Sequence, residues 1–130
     1  YAIQLAAKQG IRLAILTGGK DDSIVYRYSK LGMKDIFMGA AVKISIYEDY
    51  CKKNGLTDEE IIYVGDDIPD YEIMSRVGCS CCPSDACSDI KDISTYVSPN
   101  TGGNGCVRDI LEQVLRAKGL WLSSAKAFGW

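Results

Sequence analysis

A parallel α/β fold of the Rossmann type is what this sequence predicts, and three observations carry it. Short apolar runs alternate with amphipathic stretches of helical length along the whole chain of 130 residues. Two of the runs read as buried strands, R-L-A-I-L at 12–16 and I-I-Y-V at 61–64, and the second has too few polar interruptions for a half-exposed strand, so it reads as buried on both faces. Both stop at glycine, T-G-G in one case and G-D-D in the other, which places small, ligand-tolerant turns at the carboxyl ends of strands.

In order, residues 1–9 read as a helix with Gly10 after it as a cap, and residues 12–16 as the first strand. Ile24, Val25, Tyr28 and Leu31 give the segment from Asp21 to a stop at Gly32 a helical period. Residues 35–38 form a short strand ending at Gly39. Lys43 opens a helix over 44–53 that Asn54-Gly55 closes, and T-D-E-E at 57–60 is a capping-box sequence leading into the strand at 61–64. A helix over 71–77 stops at Gly78, the cysteine-rich run V-G-C-S-C-C-P reads as a strand, residues 85–90 as a short helix and Tyr96-Val97 as the last strand. The loop G-G-N-G at 102–105, expected to be flexible, precedes an amphipathic helix over 107–118, with Val107, Ile110, Leu111, Val114 and Leu115 on one face. The tail at 120–130 is short, apolar and carries both tryptophans, so it should pack on something, such as another subunit. No repeat or linker interrupts residues 1–130, which read as a single domain.

A formal charge of −2 with no basic cluster argues against a nucleic-acid or anionic-membrane partner, and no apolar run reaches a membrane span. Histidine is absent, so acid–base work falls to carboxylates. Six cysteines include a formal C-x-x-C, Cys79 to Cys82, which is open to a zinc or redox reading. The same run also reads as a buried strand in which cysteine acts as a small hydrophobe, with free thiols in a reducing cytoplasm as the expectation.

Three places suggest chemistry. Asp66, Asp67 and Asp70 crowd one strand end, where mutual repulsion favours a cation between them, and hard oxygen ligands in a compact loop suit Mg²⁺. The alternative is a solvated turn with a helix cap, which Pro69 and Asp70 fit. Thr17-Gly18-Gly19 offers backbone N–H groups and a hydroxyl near a helix start, a means of holding phosphate, although such turns are common without a ligand. Lys43 alone reads equally as a surface charge.

Taken together and in this order, strand-L-T-G, a lysine before a helix and strand-G-D-D-x-x-D resemble motifs two, three and four of the haloacid dehalogenase superfamily of phosphotransferases. The short spacings leave no room for a cap domain. G-G-N-G-C-V-R-D followed by an apolar helix and aromatic tail is similar to the 3-deoxy-D-manno-octulosonate 8-phosphate phosphatases of bacterial lipopolysaccharide synthesis. The resemblance implies that Thr17 and the Gly18 amide hold the transferring phosphoryl group, that Lys43 neutralises it, and that Asp66 binds Mg²⁺. Asp67 and Asp70 would lie beside the metal, one or both through water or by fixing Lys43. Arg27 would reach the substrate's carboxylate. Neighbouring subunits of a homotetramer would replace the cap, so the Gly102-Gly103 loop and the tail would complete an adjacent site.

Two departures stand out. No D-x-D-G occurs, so the nucleophilic aspartate is not in this chain, and a first strand lying between those that end at Leu16 and Val64 is missing. An N-terminal segment of about 40 residues is expected to supply both. Gly19 stands where members often carry arginine, which bears on the sugar. The implied function is that of a cytoplasmic, Mg²⁺-dependent phosphatase of a sugar-acid phosphate. The alternatives are action on a related nine-carbon sugar-acid phosphate, or a non-catalytic domain that keeps the fold to bind a sugar phosphate or a partner. A receiver-like domain would put its acidic pair on the first strand and leaves the T-G-G turn unexplained.

Overall fold

The computed structural model describes residues 1–123, 128 and 129. Its order is α1 (Ala2–Lys8), β1 (Ala14–Leu16), α2 (Asp22–Lys30), β2 (Asp35–Phe37), α3 (Lys43–Asn54), β3 (Ile62–Val64), α4 (Tyr71–Met74), β4 (Cys79–Cys82), α5 (Ser88–Ile93), β5 (Tyr96–Val97) and α6 (Cys106–Ala117). Every strand pairing is parallel: β1 with β2, β3 with β4 and β4 with β5. Each crossover is one helix with short turns, and among the described residues no inserted cap interrupts the order. The α/β class with parallel strands is as the sequence leads one to expect.

The chain forms two compact units, Tyr1–Gly39 with Arg108–Trp130, and Ala40–Val107. In the first, β1 and β2 pair as Ala14 with Asp35 and Leu16 with Phe37. Asp21 caps α2 by accepting the Ser23 amide at 2.9 Å, a bond that also holds its carboxyl below the usual carboxylate range. The core of this unit is Leu5 and Ala6 of α1 against Leu115 of α6, with Ile11, Leu13, Leu111, Leu120 and Trp121 packed around them. Trp121 meets the Tyr1 ring edge to face at 5.7 Å, and the guanidinium groups of Arg108 and Arg116 lie over the indole. The start of the tail therefore folds onto its own unit. Phe128 is 73% exposed, and Trp130 lies outside the described residues.

In the second unit β4 is central, with β3 and β5 at its sides. Its apolar cluster joins Met74 of α4, Cys82 of β4, Ala86 ahead of α5 and Ile90 within it, with Tyr63, Cys87 and Ile93 against it. The capping box at Thr57 forms as expected and closes a 3-10 turn, Asp58–Glu60. Gly55 takes the left-handed conformation that ends α3.

Several expectations need correction. The run at 61–64 is not buried on both faces: Ile62 is 44% and Val64 37% exposed, whereas Tyr63 turns to the apolar cluster. Among the described residues β3 pairs only with β4, and a continuous apolar run does not reveal which of its two faces is covered. The helix expected over 71–77 shrinks to Tyr71–Met74 behind a 3-10 turn, Ile68–Asp70, that contains Pro69. The helix expected over 85–90 begins three residues later, at Ser88, because Asp85 serves the neighbouring loop instead of a cap. That loop is tied down, with the Gly102 amide on Asp85 Oδ1 at 2.8 Å and the Ser84 amide on the Asn100 carbonyl at 3.0 Å.

Candidate active site

β3 delivers its chain to Gly65, and there the sequence has no freedom. A Cβ on Gly65 would lie 2.5 Å from Asp70 Cβ and 2.8 Å from Met74 Sδ, so the glycine is the space that lets the Asp70 side chain fold back over the strand end. The 3-10 turn makes that return. Asp67 caps it by accepting the Ile68 amide at 2.8 Å, and the Asp70 amide donates to the Asp67 carbonyl at 2.9 Å.

Asp70 ends up 3% exposed, and a buried carboxylate needs partners. It has three. Lys43 Nζ donates to its Oδ1 at 2.6 Å, the Tyr63 hydroxyl donates to the same oxygen at 2.7 Å, and the Asp66 amide donates to Oδ2 at 3.3 Å. Burial, then the bond to Asp70, then the charges of Asp70 and Asp66 push the Tyr63 hydroxyl far above its ordinary value, so it stays a donor. Lys43 is the first residue of α3, where the helix dipole opposes a cation, and Val42 supplies no side-chain cap. Its place is set by Asp70, 27 residues away in sequence.

Asp66 differs in kind. Its backbone is fixed, the carbonyl accepting the Cys87 amide at 3.0 Å and the N–H bound to Asp70. Its carboxylate is exposed and has no hydrogen-bond or ion-pair partner among the described residues. Asp67, also exposed, spends one oxygen on its cap. No three acidic or thiol side chains gather into a complete metal-holding group among the described residues. Mg²⁺ needs no such cage, because it keeps several waters and takes one or two carboxylates, and the donor set of Asp66 with Asp67 fits that demand.

In the other unit, the turn after β1 is held by Thr17 N–H on the Phe37 carbonyl and Gly39 N–H on the Gly19 carbonyl, both at 2.9 Å. The Gly19 amide donates to Thr17 Oγ1 at 3.1 Å, so the threonine hydroxyl accepts inside the turn and keeps its own proton for another acceptor. The Gly18 amide donates to nothing among the described residues. Arg27 stands exposed on α2, with no ion pair among the described residues. Gly102 and Gly103 lie in the exposed loop, Gly103 with φ +69°.

The structure thus brings Lys43, Asp66 and Asp70 together in one unit, and places Thr17, Gly18 and Arg27 in the other. Sequence reasoning missed Tyr63, taken only as a strand residue, Gly65 as a steric requirement, and Asp85 as the anchor of the Gly102 loop. A polar-tipped tyrosine two residues before a strand-ending glycine was the one available signal. The cysteines behave as hydrophobes: Cys82 sits in the core, and burial, reinforced by Cys79, Cys106 and Cys82, pushes the Cys81 thiol up to about 12.

A lysine–aspartate pair and an aspartate carboxylate without a partner among the described residues, both at a strand end of a parallel α/β fold, define a class. The chain belongs to the haloacid dehalogenase-like hydrolases, whose family model matches residues 21–110. It is 33% identical over 119 residues to the 3-deoxy-D-manno-octulosonate 8-phosphate phosphatase of Escherichia coli strain K12, an alignment covering 92% of this chain and 63% of that protein. The crystal structure of the Yersinia pestis phosphatase of the same name superposes with a TM-score of 0.89 at 28% identity, over 92% of this chain and 65% of that one. The Moraxella catarrhalis phosphatase, solved with magnesium, phosphate and its sugar acid, gives 0.86 at 32% identity, over 89% and 67%. The chain spans 63% of the length of the curated relatives it matches. No helix among the described residues is long and apolar enough to cross a membrane.

Proposed function

We propose that this chain is the greater part of a Mg²⁺-dependent phosphatase acting on 3-deoxy-D-manno-octulosonate 8-phosphate in the synthesis of lipopolysaccharide precursors. The observation that carries the reading is the Lys43–Asp70 pair, buried beside the free carboxylate of Asp66 at the end of β3. Such an arrangement is costly unless a cation and an anion both have business there. Lys43 commits one of its three ammonium protons to Asp70, which leaves two for the phosphoryl oxygens. Thr17, through its unspent hydroxyl proton, and Gly18, through its free amide, would hold the same group. Asp66, helped by Asp67 directly or through water, would bind Mg²⁺, which supplies Lewis-acid neutralisation of the phosphoryl charge. Asp70 acts by fixing Lys43. Arg27 would meet the substrate's carboxylate, and Gly102 and Gly103 would serve the sugar from a loop that Asp85 anchors.

The nucleophilic aspartate would come from a part of the protein outside these 130 residues, and with it the strand between β1 and β3 that makes residues 1–130 one phosphatase core. Support comes from the absence of D-x-D-G here and from the greater length of the relatives. A homotetramer in which the tail at 120–130 helps close a neighbour's site, and a cytoplasmic location, complete the proposal. The exposed Phe128 supports the former.

The experiment is phosphate release by the complete protein from 3-deoxy-D-manno-octulosonate 8-phosphate and, in parallel, from a nine-carbon sugar-acid phosphate, each with and without chelator. Turnover of the first that stops on metal removal and returns with Mg²⁺ is expected. Preference for the nine-carbon substrate reassigns the sugar. Turnover indifferent to complete metal removal, or none on either substrate, defeats the reading, and the second outcome leaves a non-catalytic sugar-phosphate-binding domain.

A further inference from the structure

The Asp70 carboxylate takes two donors on one oxygen, Lys43 at 2.6 Å and Tyr63 at 2.7 Å, and a backbone amide on the other. All three help to satisfy a buried charge, which can accept at about four lone-pair sites. The Tyr63 hydroxyl differs from the other two in what holds it. Tyr63 packs against the apolar cluster that Met74, Cys82, Ala86 and Ile90 form, so the position of its hydroxyl is dictated by the apolar core of the unit. A carboxylate otherwise turns easily about its last torsion, and a lysine ammonium on four rotatable bonds turns more easily still. Lys43 gets no guidance from its own helix, whose start repels it.

We infer that Tyr63 is a positioning residue: its hydroxyl locks the Asp70 carboxylate, and through it the direction in which Lys43 presents its two uncommitted protons. The consequence for turnover rests on the phosphatase reading above, while the geometry does not. Without the hydroxyl, Asp70 and Lys43 remain paired but can swing together, which weakens contacts that tighten only as the phosphoryl group transfers. Replacement by phenylalanine keeps the ring in the core and removes that one bond.

The test uses the complete protein with Tyr63→Phe, Lys43→Ala and both together. Tyr63→Phe should lower kcat about tenfold and leave KM within about twofold, the mark of an interaction made in the transition state. In the Lys43→Ala background the same change should cost less than about twofold, because a residue acting through Lys43 has nothing left to position. Equal losses in both backgrounds would show a merely structural role and overturn the inference. A second readout needs no turnover. In lysine ¹⁵N-labelled protein, the Lys43 ammonium correlation, assigned by its loss in Lys43→Ala, should be sharp in the parent and broadened or lost in Tyr63→Phe. An unchanged signal overturns the inference whether or not the parent releases phosphate. A parent that turns nothing over counts against the phosphatase reading alone.

Discussion

Replacing Lys43 by methionine keeps most of the side chain's apolar length and removes its charge, and Asp70 then bears the consequence. The pair is 2.6 Å apart with side chains only 16% and 4% exposed, so neither solvent nor salt screens it much. Breaking a buried pair by removing one partner costs about 3–5 kcal/mol when the survivor is stranded. Asp70 is not wholly stranded, because the Tyr63 hydroxyl and the Asp66 amide remain. The expected loss therefore falls below that range, at about 2–3 kcal/mol, the worth of one hydrogen bond to a charged group. Asp70→Asn should cost less, about 1–2 kcal/mol, since Lys43 is closer to water and its ammonium can rehydrate. In the double variant the two costs should not add, leaving a coupling of about 1–2 kcal/mol. Urea unfolding of the four proteins at matched m-values measures it, and repetition in 1 M salt should leave the coupling nearly intact. Additivity within about 0.5 kcal/mol would refute the claim that Asp70 sets the place of Lys43.

Asp66→Asn should abolish Mg²⁺-dependent turnover while shifting stability by less than about 0.5 kcal/mol, because its carboxylate is exposed and has no partner among the described residues. Near-normal activity at low magnesium would show the acidic turn to be only a cap. The Tyr47 hydroxyl at 2.6 Å is the chief influence holding Asp58 below the usual carboxylate range; burial opposes it, and the Arg76 guanidinium adds to the lowering. That stability is present above the unfolded value of about 4 and is lost as pH falls through the lower folded value, so Tyr47→Phe should flatten the fall in stability on acidification. An unaltered acid limb would contradict it. Deleting residues 120–130 should lower both oligomer mass, read by light scattering, and substrate use. Because Leu120 and Trp121 pack on Leu115 and Tyr1, a second truncation starting at 124 separates loss of the core from loss of an interface. Unchanged mass and kinetics in the shorter deletion would exclude the interface role.

The strand–turn–helix order was legible because glycines punctuate it: Gly55 ends α3 in a left-handed turn, and the capping box at Thr57 reads straight off four residues. Lys43 and the acidic turn were legible only as a set, through their order along the chain. What could not be read was pairing. Nothing local says that Lys43 belongs to Asp70, since the contact joins the start of α3 to the 3-10 turn after β3, 27 residues further along the chain. Nor does I-I-Y-V tell that Ile62 and Val64 face outward while Tyr63 faces in, because a run with no polar alternation carries no phase. The missing phase hid the functional residue. Tyr63 is the one member of the run whose tip is polar, so it gains from facing a core only if a buried acceptor waits there, and Asp70 is that acceptor. A glycine two residues further on then has to be empty of side chain for the acceptor to reach it. The tyrosine, the glycine and the returning aspartate are therefore one structural requirement spread over eight residues, and substitution of any one should unsettle the placement of Lys43.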